Sequence, residues 1–351
     1  MNAYCAHSVL KINETALARN FNIIQAIAPQ SKILAMIKAN AYGHGLVRTA
    51  KVLSEAAGFG VACLDEAVQL RKAGITQKIV VMRGVFNQTE LALANQLKVD
   101  LVIHCFLQFE LLSKQTHWLK INTGMNRLGF SQDELPQVWE KLKNISPADI
   151  ILFTHFSSAE ELSPVVTLSQ IQQFEEITQG LKQEKSLANS AGILNFKESH
   201  QSWIRPGLLL YGVSPLENKT GSDFDLDPVM TWQSQLIAVR MQKKGDRVGY
   251  NGRYICEENM PIGIVGAGYA DGYPRHAKNG TPVLVNGSEV SLTGRVSMDM
   301  LAVDLRKAPQ AKTGDRVILW GEGLPVEKVA GYTASNVYEL LCNARSRSPA
   351  D

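Results

Sequence analysis

A single lysine, Lys38, follows five apolar residues in the segment 33–45 (ILAMIKANAYGHG) and opens a loop of small and polar residues. A short apolar run that meets Gly-rich loop chemistry reads as a buried strand. A lysine at the end of such a strand is costly unless it is paired, desolvated to neutrality or used covalently. A neutral lysine amine is a nucleophile that condenses with a carbonyl cofactor. The same residues also fit a strand-end lysine that reaches solvent or bridges to a carboxylate. A second candidate lies far downstream, in residues 266–275 (GAGYADGYPR), where a turn-rich loop displays Tyr269 between two β-type segments. A phenol titrates near pH ~10, so it works as a base only beside a cation; otherwise it is a packing or rim residue. Residues 120–129 (KINTGMNRLG) end an apolar strand with Lys120, then give Thr-Gly and Arg127, a pattern suited to an anion-binding loop. Ser190 in ANSAG offers a hydroxyl, and Gly207 in RPGL lets backbone approach closely; a helix cap and a plain turn explain these equally. Arg205 fits a salt bridge, and His155, in Thr154-His155-Phe156, fits a satisfied core histidine.

These residues must be positioned by elements, and the apolar pattern supplies them. Strand-like and helix-like segments alternate every ~20–30 residues from the lysine strand to residues 203–211, which means βα units and a parallel sheet. About eight such units is the count of a (β/α)8 TIM-type barrel. No G-x-G-x-x-G follows the first strand, which disfavours a doubly wound sheet. In a barrel, phosphate sits at the loops after strands seven and eight, where ANSAG and RPGL fall. Residues 215–227 (PLENKTGSDFDLD) read as a linker. Beyond them come short β-type segments separated by turn signals and one helix-like segment at 334–342. The expected organisation is an α/β barrel over residues 1–227, carrying the lysine, and a smaller, mainly β domain over 228–351, carrying the tyrosine. The pattern also predicts a helix over 13–27 capped by Asn13, a helix over 106–113 and a last barrel strand over 203–211.

Composition narrows the function classes. The 351 residues are 45% hydrophobic and 20% charged with net charge +3, and no run of five or six basic residues occurs, so neither nucleic acid nor a membrane surface is the expected partner. No apolar run approaches the ~18 residues of a spanning helix, and the N-terminal residues do not read as a signal peptide. The five cysteines are scattered and odd in number, which fits a reducing cytoplasm rather than a disulfide framework or zinc site. The seven histidines form no H-x-x-x-H pair, so no metal is expected.

The segment AMIKANAYGHG resembles the pyridoxal-phosphate lysine motif of the alanine racemase family. Four further motifs resemble that family in order: KINTGM with Arg127, ANSAG with RPGL, GYADG, and GRVSMDM at 294–300. The resemblance implies pyridoxal 5'-phosphate as cofactor, held by Lys38, and two-base interconversion of L- and D-alanine with Lys38 and Tyr269 as the bases. It implies a phosphate cradle from Ser190, the backbone of Gly207 and Leu208, Tyr42 and Tyr338. Arg205 would face the pyridine nitrogen, with His155 hydrogen-bonded to it. Arg127 would orient the substrate carboxylate, Met298 would sit beside its methyl group, and Lys120 would be carbamylated. The family commonly has Asp where this chain has Asn122, and residues 343–351 lack the family's Arg-Val-Pro-Arg ending, which bears on local dimer contacts. Arg295 and Glu160 match positions along the family's substrate corridor. A homodimer with shared active sites is implied, each site taking Tyr269 and Met298 from the other subunit. The product would be D-alanine for peptidoglycan, or the enzyme would serve alanine catabolism. A basic amino-acid decarboxylase and a non-enzymatic pyridoxal-phosphate binding protein are the competing readings.

Overall fold

A computed structural model describes residues 8–113, 115–143 and 149–346 of the chain. Cys5, Arg347 and the rest of the atypical tail from 347 onward lie outside the described residues. Eight parallel strands close on one another: β2 (Lys32–Met36), β3 (Gly58–Val61), β4 (Lys78–Val81), β5 (Asp100–Ile103), β6 (His117–Lys120), β7 (Ile150–Phe153), β8 (Glu184–Ser186) and β9 (Trp203–Ile204). The circle shuts where Lys32 pairs with Trp203 and Ile33 with Ile204. Parallel strands covered on both faces read as nearly continuous apolar runs, and the strand residues Leu34, Phe59, Ile79, Val80 and Leu152 are fully buried. The expected TIM-type barrel is therefore present, with the lysine strand as its first.

The second sheet is antiparallel and has seven strands, in the order β1 (Ser8–Ile12), β10 (Met230–Gln242), β13 (Met260–Val265), β16 (Leu301–Asp304), β15 (Ser288–Thr293), β14 (Pro282–Val285) and β17 (Arg316–Trp320). A small ribbon of β11 (Arg247–Val248) and β12 (Tyr254–Ile255) stands apart. The mainly β C-terminal domain is thus present, with one correction to its membership. Residues 8–12, expected in the barrel segment 1–227, pair with β10 from Ser8↔Ser234 to Ile12↔Met230. A closed barrel has no free edge to accept a further strand, whereas β10 is long enough to pair β1 and β17 along one half and β13 along the other.

Local expectations fare unevenly. Asn13 caps the helix Glu14–Ile27 as predicted, its side chain accepting from the Ala16 amide at 3.0 Å. The segment 106–113 forms only a 3-10 turn, Phe106–Glu110. The last barrel strand stops at Ile204: Pro206 has no amide to donate to the ladder, although its carbonyl accepts from the Met36 amide at 3.0 Å, and Leu208–Tyr211 then winds into a 3-10 turn.

Candidate active site

Every barrel-borne candidate sits at or just beyond the C-terminal ends of the strands, the face where such barrels build sites. Lys38 follows β2 by two residues. Behind it the backbone does something rare: Ala39, Asn40, Ala41 and Tyr42 all have φ of 52–53°, a left-handed turn with only L residues in it. That conformation costs roughly 1–2 kcal/mol per residue, so other bonds must hold it. The Glu66 carboxylate accepts from the Ala39 amide at 2.7 Å and from the Ala62 amide at 2.6 Å. Asn40 Oδ1 accepts from the Leu46 amide at 2.8 Å. His44 Nδ1 lies 2.9 Å from the Ala41 and Tyr42 carbonyls, so that nitrogen carries the proton. The His44 ring stacks on Tyr211 with centroids 4.3 Å apart, and burial lowers its pKa to about 4. Gly43 ends the turn where no side chain fits, since a Cβ there would stand 2.3 Å from the Leu341 carbonyl oxygen.

Burial, and then Arg127, push the Lys38 pKa below the usual lysine range; Arg83 adds to this, and Glu66 and Cys342 oppose it. Lys120, at the end of β6, is lowered to about 8 by burial and by the charges of Arg127, Arg205 and Lys38. His155 follows β7 by two residues, and burial with the Arg205 charge holds it well below its ordinary value, hence neutral. Arg205 is buried yet meets neutral acceptors: Nη1 donates to Ser186 Oγ at 2.6 Å, and Nη2 to the carbonyls of Thr154 at 2.6 Å and Leu187 at 3.1 Å. Burial lowers its pKa to about 9, which leaves it charged at neutral pH. Its Nη2 lies 3.5 Å from His155 Nδ1. Arginine only donates, so His155 carries its proton on Nε2. Among the described residues no salt bridge involves Lys38, Lys120, Arg127 or Arg205. A cup of cations with no paired carboxylate suits an anionic ligand.

The phosphate candidates converge as well. Asn189, not Ser190, caps the helix Ser190–Asn195, accepting from the Gly192 amide at 2.9 Å. Ser190 is thereby freed, and its hydroxyl accepts from the Gly207 amide at 2.9 Å. A Cβ on Gly207 would come within 2.7 Å of the Tyr42 hydroxyl, so only glycine leaves this cradle open. Leu208 opens the 3-10 turn that follows, where the first amides lack intrahelical partners. Tyr338, on the helix Val337–Asn343, brings its ring to 5.8 Å from that of Tyr42. Burial and the Glu160 charge raise the Tyr338 pKa to about 12, and burial raises that of Tyr42 further.

Tyr269 and Met298 stand elsewhere. Tyr269 opens the 3-10 turn Tyr269–Asp271, whose Asp271 accepts from the Gly268 amide at 2.8 Å. The Tyr269 and Ala270 amides donate to the Ser297 and Met298 carbonyls at 3.0 and 2.9 Å, tying the GYADG and GRVSMDM loops into one surface. Tyr269 is 38% exposed and Met298 53%. The Arg275 guanidinium lies over the Tyr269 ring at 5.9 Å from its centroid. Tyr269 is not among the groups acting on Lys38. No cluster of His, Cys, Asp and Glu among the described residues could hold a metal. Glu66, Arg83 and Cys342 are the functional neighbours that the sequence reading missed. Asp65-Glu66 after a strand signals only a helix's first turn, and nothing in its spacing reveals a bond to the lysine loop.

Residues 12–215 match the alanine racemase N-terminal domain and residues 229–351 the alanine racemase C-terminal domain. The chain belongs to the alanine racemase family. It is 48% identical over 349 residues to an alanine racemase of Coxiella burnetii, covering 96% of each chain. The crystal structure of a biosynthetic alanine racemase from Pseudomonas aeruginosa superposes with a TM-score of 0.93 at 40% identity, covering 98% of both chains. An alanine racemase from Bartonella henselae with covalently bound pyridoxal phosphate superposes with a TM-score of 0.87 at 27% identity, covering 97% of this chain and 98% of that one. Membership in this family makes the chain an amino-acid isomerase.

Proposed function

We propose that this chain interconverts L- and D-alanine with Lys38 and Tyr269 as paired acid and base on opposite faces of the substrate. The observation that carries the assignment is the setting of Lys38: a half-buried amine at the barrel mouth, beside buried Lys120 and Arg205, none of which meets a carboxylate in a salt bridge among the described residues. The cup fits pyridoxal 5'-phosphate. Ser190, the Gly207 and Leu208 backbone, Tyr42 and Tyr338 would hold its phosphate, Lys38 its carbonyl carbon, and Arg205 its ring nitrogen. Bound there, the cofactor draws electrons from the substrate's α-carbon and so loosens its proton.

The protein's own residues do the rest. Arg127, exposed at the mouth, binds the substrate carboxylate as an anion-matching fork. Lys38 takes or returns the α-proton on one side and Tyr269 on the other, which inverts the centre. Arg205 only donates, so it would face the cofactor's ring nitrogen as a donor and disfavour its protonation, which would weaken the electron sink and suit simple proton exchange. Neutral His155 supports that arrangement from Nδ1. Lys120, with a pKa of about 8, has enough neutral amine near neutrality to take up carbon dioxide as a carbamate and then pair with Arg127. Met298 lies beside the substrate methyl group. Because Tyr269 and Met298 face outward, a second copy of the chain supplies them, and the working unit is a homodimer with shared sites. The likeness to biosynthetic alanine racemases supports provision of D-alanine, rather than alanine catabolism, as the role, with the cytoplasm as its place. Among the described residues no helix is long and apolar enough to cross a membrane.

The competing readings lose specific support. A basic side chain needs free carboxylates in the cup, but Glu66, the carboxylate acting on Lys38, is bonded to two backbone amides. A barrel-only cofactor carrier has no use for residues 229–351. Incubation of the protein and pyridoxal phosphate with L-alanine in heavy water, followed by optical activity and NMR, tests the proposal. Loss of optical activity with α-deuteration supports it; deuteration with retained L configuration removes Tyr269 from its role.

A further inference from the structure

We propose that Glu66 is the positioning residue of the catalytic lysine, pinning the left-handed turn behind Lys38 and supplying one negative charge to its surroundings. This rests on the assignment of Lys38 above. The geometry carries it. Glu66 stands in the first turn of the helix Leu64–Lys72, where a carboxylate is favoured by the helix dipole. An ordinary helix-start acid spends its oxygens on its own helix. Here one oxygen takes the Ala62 amide just before the helix, and the other crosses to the Ala39 amide, the first peptide after Lys38. That peptide begins four consecutive residues at positive φ. Locking it fixes the direction in which Lys38 leaves the backbone.

The charge matters because of the company. Lys38 is surrounded by Arg83 from the loop after β4, Lys120 and Arg127 from β6 and its loop, neutral His155 after β7, and the Cys342 thiol from the C-terminal helix. Among the groups acting on Lys38, Glu66 is the carboxylate, and its charge opposes the loss of the amine's proton. A base that must take up a proton during each turnover needs such a counterweight, since the cations alone would make the ammonium form too costly.

The test uses Glu66→Gln, Glu66→Asp and, as control, Asp65→Asn, an exposed acid in the same helical turn. Three readouts are taken: amide hydrogen exchange of residues 37–46 in the cofactor-free protein, the pH dependence of acetylation of Lys38 in that protein by a small amine-reactive reagent, and kcat and KM for L-alanine in the loaded enzyme. For Glu66→Gln, exchange in 37–46 accelerates about tenfold or more, because an amide side chain cannot accept from both backbone donors. Half-maximal acetylation moves to lower pH, because removing a negative charge favours the neutral amine. The kcat falls roughly 10- to 100-fold with KM within about twofold, as expected for a misplaced base. Glu66→Asp keeps the charge, so its acetylation profile stays in place while exchange accelerates and kcat falls. Asp65→Asn behaves as wild type. Wild-type exchange and an unmoved acetylation profile in Glu66→Gln overturn the proposal, as does a fall in kcat without either change. If Glu66→Gln does not fold, Glu66→Asp decides: faster exchange with reduced kcat supports the role, and wild-type values overturn it. Failure of the wild-type enzyme to racemise alanine would strike the assignment of function, while the first two readouts still report on Glu66.

Discussion

The barrel mouth and the tyrosine loop of the β domain are built on opposite principles. At the mouth, Lys120, Arg205, Ser190 and Tyr42 are buried, and strained backbone is locked by side-chain bonds. On the β domain, Tyr269, Met298 and Met300 are exposed, and the loops that carry them are joined mainly through backbone amides and carbonyls. The helix Val337–Asn343 lies between the two regions, touching Tyr42 through Tyr338 and leading to Arg345, whose amide donates to the Asp271 carbonyl at 2.9 Å. One region is a cup completed within a single chain. The other is a pair of loops joined to each other and presented outward. A buried cation cluster is tolerable only where a ligand brings negative charge, and the exposed Tyr269 phenol can act as the base proposed above only where another body covers it.

Several substitutions would break or sharpen that contrast. The largest effect is expected from Lys38→Ala, which removes both the cofactor's attachment and one base; racemisation should fall by at least about 10^4-fold, and the protein should lose the visible absorbance of lysine-bound cofactor. Tyr269→Phe comes next, costing roughly 10^2- to 10^4-fold. It also supplies the sharpest test of the comparison. If the two regions meet across a dimer, mixing inactive Lys38→Ala and Tyr269→Phe subunits regains about one quarter of wild-type activity, because half of the randomly formed dimers carry one intact site. If the regions meet within one chain, mixing regains none.

Arg205→Lys should cost a smaller amount, roughly 10- to 100-fold in kcat, since an ammonium cannot serve Ser186, Thr154 and Leu187 while facing a ring nitrogen. A loss of thermal stability should accompany it, and unchanged kcat would show that the buried guanidinium is scaffolding alone.

The smallest effect concerns pH. His44 and His117 have pKa values lowered to about 4, chiefly by burial. Between about 4 and the ordinary histidine value the unfolded chain binds more protons than the folded one, so stability rises with pH across that window and is lost as pH falls through it. Thermal melting from pH 4 to 7 should show this. The midpoint should become less sensitive in His117→Asn, while the tyrosine loop, with no buried histidine of its own, should leave the profile alone in Tyr269→Phe.

Much of this was legible in the residues. The period of strand and helix yielded the barrel, and the apolar run before Lys38 placed it at a strand end, because burial on both faces forces such runs. The motifs placed Ser190, Arg205 and Gly207 at the last two strands, where the structure unites them. Less legible was the place of the edge strand at 8–12, because a short strand such as Val9–Ile12, with Lys11 inside it, carries no sign of its partner; only the closure of the barrel excludes it there. Glu66 was hidden for a related reason. Its local signal, an acid in a helix's first turn, is satisfied by its own helix, and the second bond crosses from one βα unit to the preceding one.

The sequence by itself determined the residue types of the chemistry and the order of the elements, since strand and helix periods and side-chain chemistry are local properties of the chain. The tertiary structure alone decided the left-handed turn behind Lys38, the neutral state of His155, the release of Ser190 from capping and the outward display of Tyr269. Each of these depends on which distant groups pack together, because desolvation, charge interaction and backbone strain are set by neighbours in space rather than by neighbours in sequence.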